Sequence, residues 1–101
     1  MQLYNKLSAK ERAALIEEAG EDRLTLSFYA YAKIGNPKLF RNYLFIAWDA
    51  MQVLGRIYVA HEGINAQLSV PAKKFDEFKN FLDSIYFLEN IRLNIAIEHD
   101  L

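Results

Sequence analysis

Apolar residues in this chain fall into two alternating registers, one with the period of a strand and one with the period of a helix. Leu24, Leu26 and Phe28 alternate with Thr25, Ser27 and Tyr29, which is the pattern of a strand with one dry face. Arg56 to Ala60 and Ile64 to Val70 alternate in the same way on either side of His61-Glu62-Gly63. A short polar elbow with glycine between two such runs predicts a β-hairpin. Ile91, Leu93, Ile95 and Ile97 alternate with Arg92, Asn94 and Ala96, giving a last strand. The helical period appears in three places. Residues 9–19 follow a capping box, Ser8 with Glu11, and stop at Gly20. Asn36 and Pro37 suit an N-cap and a first helical position, and the helix from Pro37 to about Gln52 carries Phe40, Leu44, Ala47 and Met51 on one stripe. Pro71 opens a further helix, with Phe75, Phe78, Leu82 and Ile85 spaced for burial.

After the leading helix, the element order is β-α-β-β-α-β, the split βαβ or ferredoxin-like α+β arrangement. It predicts a four-stranded antiparallel sheet with both helices on one face. Residues 1–22 then form a leading helical segment and 23–101 the ferredoxin-like domain. The other face of the sheet displays Thr25, Ser27, Tyr29, Tyr31, Arg56, Tyr58, Asn65, Gln67, Ser69, Arg92 and Asn94. No helix of the split βαβ unit covers that surface. Lys73, Lys74 and Lys79 are expected on the solvated side of the last helix.

At 101 residues, 52% of them hydrophobic and 25% charged, the chain is one globular domain rather than a disordered segment. No apolar run reaches the roughly 20 residues of a membrane span, and the N-terminus lacks a signal-peptide core, so the expected location is the cytoplasm. Absence of cysteine excludes disulfides, thiolate metal sites and a cysteine nucleophile in this chain. A net charge of −1 lacks the strongly basic footprint of a stand-alone nucleic-acid binder, although a local patch is compatible with it. An apolar strand running directly into Glu98-His99-Asp100-Leu101 suggests a fragment of a longer protein.

Three chemistries come into question. Acylphosphatases use this fold with a glycine-rich, arginine-bearing loop after the first strand to cradle a phosphate. Here that loop, Ala32 to Pro37, holds one glycine, no arginine and a proline without an N–H. His61 beside Glu62 resembles a general base with its orienting carboxylate, but strand neighbours point to opposite faces and no nucleophile accompanies them. His61 and His99, the only histidines, give no metal-ligand spacing, so no metal is expected. The tyrosines and arginines of the open sheet suit single-stranded RNA, whose bases stack on aromatic rings. They suit better an interface with another domain or with the leading helix, since tyrosine is apolar in body and polar at its tip, and the strand from Ile64 to Val70 lacks the aromatics of RNA-recognition motifs.

The segments SFYAYAKIGNPKLFRNYL (from Ser27), GRIYVAHEGINAQLSVP (from Gly55) and IRLNIA (from Ile91) together resemble the N-terminal region of the rhodanese-containing bacterial tRNA uridine hydroxylases. The elbow Glu62-Gly63-Ile64-Asn65 is the most specific part of the likeness, which covers nearly the whole chain. The resemblance implies an acylphosphatase-like N-terminal domain followed by a rhodanese domain and a C-terminal segment. It implies hydroxylation of the tRNA wobble uridine at carbon five with molecular oxygen as co-substrate and no cofactor in this chain. The catalytic cysteine would lie in the rhodanese domain. The expected role here is accessory: binding tRNA or docking onto the chain's own rhodanese domain. Candidate contact residues are Tyr29, Tyr31, Arg56, Tyr58, His61, Glu62, Gly63, Asn65, Gln67 and Arg92, with no catalytic residue among them. The alternatives are a stand-alone acylphosphatase-like hydrolase and a protein-interaction module.

Overall fold

The computed structural model of the chain describes residues 2–4 and 8–98. Its elements are β1 (Gln2–Tyr4), α1 (Ala9–Ala19), β2 (Arg23–Tyr31), α2 (Pro37–Ala50), β3 (Leu54–Ala60), β4 (Gly63–Pro71), α3 (Phe75–Asp83) and β5 (Leu93–Glu98). The sheet is antiparallel throughout, in the order β1-β5-β2-β4-β3. Without β1 this is the ferredoxin-like order that the alternating segments predict. The fifth strand, β1, pairs Gln2 with Ile95 and Tyr4 with Leu93 at one edge. Three residues are too few to carry a readable alternation, so local pattern gave no sign of it.

Local signals placed the helix ends well. Ser8 and Glu11 close the capping box reciprocally, and Gly20 ends α1 at φ +59°. The Asn36 side chain accepts from the Leu39 N–H, with Pro37 in the first turn. The later boundaries moved. A short 3-10 turn, Ala72–Lys74, separates Pro71 from α3, and a second, Tyr86–Leu88, delays β5 until Leu93.

One side of the sheet and the three helices enclose the core. Leu24, Leu26 and Phe28 of β2, Ile64, Ala66, Leu68 and Val70 of β4, and Leu93 and Ile95 of β5 are all buried. They meet Leu44 and Trp48 of α2 and Phe75, Phe78 and Leu82 of α3. Burying each large side chain contributes roughly 1.5–3 kcal/mol. Trp48, four residues beyond Leu44, joins the stripe of Phe40, Leu44, Ala47 and Met51 on the buried side of α2. Its ring lies 5.7 Å from Phe78 and 6.5 Å from Phe81, while its buried indole N–H has no partner among the described residues. Helix α1 packs on this same side. Leu15 and Ala19 enter the core, and Arg12 Nε reaches Asp76 Oδ1 at 2.8 Å.

Lys79 corrects an expectation. It is not on a solvated face but 5% exposed. Position 79 is four after Phe75 and three before Leu82, so it shares the apolar stripe of α3. Its ammonium donates to Asp83 Oδ1 at 2.8 Å, and the Asn90 N–H donates to the same oxygen at 3.0 Å. Burial alone would raise the Asp83 carboxyl pKa. The Lys79 and Asn90 hydrogen bonds and the Lys79 and Arg12 charges outweigh burial and hold it below its ordinary value.

Candidate functional site

The hairpin closes on a two-residue turn, His61-Glu62, with Ala60 opposite Gly63. Gly63 has φ +155°, and a Cβ there would sit 2.1 Å from the Ala30 carbonyl oxygen. Any side chain at this position would push β4 away from β2, so glycine is required by close backbone approach.

The turn is exposed, but it is fastened to the β2–α2 loop and does not form a catalytic pair. The Ala32 N–H donates to the Glu62 carbonyl at 3.0 Å and the Ile34 N–H to the His61 carbonyl at 2.9 Å. His61 Nδ1 lies 3.0 Å from the Ile34 carbonyl oxygen. A carbonyl can only accept, so Nδ1–H donates this bond. His61 therefore spends its polar contact on holding the loop, and it makes no bond to the Glu62 carboxylate among the described residues. The same contacts occupy the loop that would have to cradle a phosphate. The amides of Ala32, Ile34 and Leu39 are committed and Pro37 has none. Among the described residues no three metal-ligand side chains come together; His99 lies outside those residues. No described helix is long and apolar enough to cross a membrane.

On the sheet face away from the helices, residues line up in rows across β3, β4 and β2. Tyr58, Asn65 and Tyr29 form one row; Arg56, Gln67 and Ser27 the next, continued by Asn94 of β5. Toward the turn the row is Ala60, Gly63 and Tyr31. Because Ala60 and Gly63 are small, a hollow of about 300 Å³ opens there, lined by Tyr29, Tyr31, Tyr58, Glu62, Gly63 and Asn65. Tyr29, Tyr31 and Tyr58 are 65%, 85% and 69% exposed, so they contribute little to the packing of this chain's own core. The rings of Tyr29 and Tyr31 meet edge to face at 5.9 Å. A second hollow further along, about 510 Å³, is lined by Thr25, Ser27, Leu54, Gly55, Gln67 and Ser69.

Arg92 is the candidate that does not join a row. It is exposed, but the β2–β5 ladder reaches only from Arg23 and Glu98 to Ser27 and Asn94. The turn at Tyr86–Leu88 and the positive φ of Asn90 (56°) bring the chain into the sheet one residue too late. Leu54 is the addition. It is 62% exposed on this face, and the alternation would have included it had the strand been started at Leu54 instead of Arg56. The His61–Ile34 bond left no sequence signal, because its partners are 27 positions apart and one of them is a backbone carbonyl.

The family model described as UPF0176 acylphosphatase-like domain matches residues 23–101. Over 99 residues the chain is 50% identical to a tRNA uridine(34) hydroxylase of Pectobacterium carotovorum subsp. carotovorum (strain PC1) and 50% identical to one of Pectobacterium atrosepticum. It is 43% identical to one of an Enterobacter species (strain 638). Each alignment covers 97% of this chain and 28% of the relative. The chain thus spans little more than a quarter of the length of these curated relatives.

Proposed function

Since the chain belongs to the UPF0176 acylphosphatase-like domain family, we propose that it is the accessory, tRNA-contacting domain of a tRNA wobble-uridine hydroxylase. The reaction, carbon-five hydroxylation with molecular oxygen, is assigned to the catalytic rhodanese domain of the longer protein, where the cysteine would reside; this chain has none. Its own residues bind and position.

The observation that carries this reading is the uncovered, tyrosine-lined sheet face. Three exposed rings offer stacking surfaces. Arg56, one row along from Tyr58, supplies a guanidinium for a phosphate. The hairpin elbow is held rigid beside them by three hydrogen bonds to the β2–α2 loop, so the rim of the face keeps its shape when RNA arrives. The names of the relatives, which act on tRNA uridine(34), agree with an RNA partner.

Affinity for tRNA, measured in the chain and in the longer protein, tests the reading. Arg56→Ala and Tyr58→Ala should each weaken binding severalfold without lowering the unfolding midpoint. Unchanged affinity and unchanged tRNA modification in both variants would rule out an RNA-contacting face.

Domain docking has its own supporting observation, on α2. Leu39, Tyr43 and Ile46 follow helical spacing and are 65%, 52% and 73% exposed. We assign this stripe to contact with the remainder of the longer protein. Ile46→Lys should then lower its stability or activity without altering the tRNA affinity of the isolated chain.

A further inference from the structure

We propose that the gap between Tyr29 and Tyr58 is a slot for one unstacked nucleobase of a single-stranded RNA segment, held ring against ring above the Asn65 amide. The inference rests on the RNA-contact reading and deepens it, by replacing a general surface with a subsite of defined chemistry.

Geometry is the first support. Tyr58 and Tyr29 are the cross-strand neighbours of Asn65 on its two sides. Two strand spacings, about 10 Å, separate their backbones, and no ring contact joins them. Tyr29 instead leans edge-on against Tyr31, so the space over Asn65 stays open. At about 300 Å³, the hollow is at the lower end of the roughly 300–1,000 Å³ typical of small-molecule sites.

The lining chemistry is the second. Two tyrosine faces attract any planar aromatic ligand without distinguishing sequence. Between them the Asn65 amide is exposed and makes no hydrogen bond among the described residues. It offers a donor beside an acceptor, the arrangement that every nucleobase presents along its Watson–Crick edge. Charge is the third. Arg56 is two residues from Tyr58 on the same face, about 7 Å along the strand, where the backbone phosphate of a slotted nucleotide would run. Glu62 is the one carboxylate among the described residues that line the hollow.

The test compares a labelled uridine pentanucleotide with its abasic counterpart, by fluorescence anisotropy on the chain. The base-bearing RNA should bind about tenfold tighter or more, since stacking one base on an aromatic side chain has that effect. Tyr29→Ala and Tyr58→Ala should each collapse that ratio toward one, whereas Tyr29→Phe and Tyr58→Phe should keep it. Arg56→Ala should weaken both ligands alike. In the unaltered chain, the Asn65 side-chain amide resonance should shift with the uridine ligand and not with the abasic one. A ratio near one in the unaltered chain, or one that survives both alanine variants, overturns the slot. If Arg56→Ala still weakens binding in that case, the RNA-contact reading stands alone. Failure to bind either RNA, with the tyrosines shielded instead by a protein segment, overturns both.

Discussion

The two faces of this sheet are built from the same strands and differ by one position in register. On the helix side, Phe28, Leu26 and Leu24 are buried to 2% exposure or less. On the other, Tyr29 and Tyr58 leave most of their surface in water. Alternation accounts for the burial of the first face, but it gives no reason to place three tyrosines on the second. A solvated sheet face is usually polar, so large exposed rings there mark a surface meant to be covered by something else.

Changing one residue on each side of the sheet gives the largest test of that contrast. Phe78, fully buried against Trp48, should lose about 3–5 kcal/mol on replacement by alanine. Tyr58→Ala should stay within about 0.5 kcal/mol. Urea unfolding measures both, and equal losses would mean that Tyr58 is a packing residue after all.

Gly63 joins the faces to the elbow. Gly63→Ala sets a methyl against the Ala30 carbonyl, and a strained or displaced strand end costs of order 1–3 kcal/mol. The unfolding midpoint should fall, and hydrogen exchange at Ala32 and Ile34 should speed up. Unchanged exchange would show the hairpin and the loop to be independent.

Much of this architecture was readable from nearest neighbours in the sequence. The capping box at Ser8, the Asn36-Pro37 helix start and the strand of Leu24, Leu26 and Phe28 each depend on residues a few positions apart. What escaped depends on distance or on a small shift of phase. The charge of Lys79 points to solvent, whereas its place between Phe75 and Leu82 puts it on the buried stripe of α3. The alternation continues through Arg92 and so places it on the open face, although β5 begins one residue later, at Leu93. Among the site residues, the exposed tyrosines were legible as a face, but the His61–Ile34 bond was not.

Lys79 also brings a smaller effect, confined to the helix side. The folded-state pKa of Asp83 is lowered, so its contribution to stability is present above the unfolded carboxylate value, 3.8, and is lost as pH falls through the lower folded value. Asp83→Asn should therefore reduce stability near neutral pH and flatten the acid limb of the stability curve below about pH 4. A stability difference from the unaltered chain that stays constant from pH 2 to 7 would contradict the ion pair. The smallest effect belongs to the elbow. His61→Ala removes one side-chain bond and should cost about 1 kcal/mol, seen as faster exchange of the Ile34 amide with little change elsewhere. Full protection of that amide would deny His61 its holding role.

The central claim is that the open face, and not the helix face, meets tRNA. The direct measurement is tRNA affinity of the chain carrying Tyr29→Ala and Tyr58→Ala together, set beside the chain carrying Leu39→Ala and Ile46→Ala. Weakening by at least tenfold in the first pair, with the second unchanged, is the expected result. The reverse pattern, or no change in either, would contradict it.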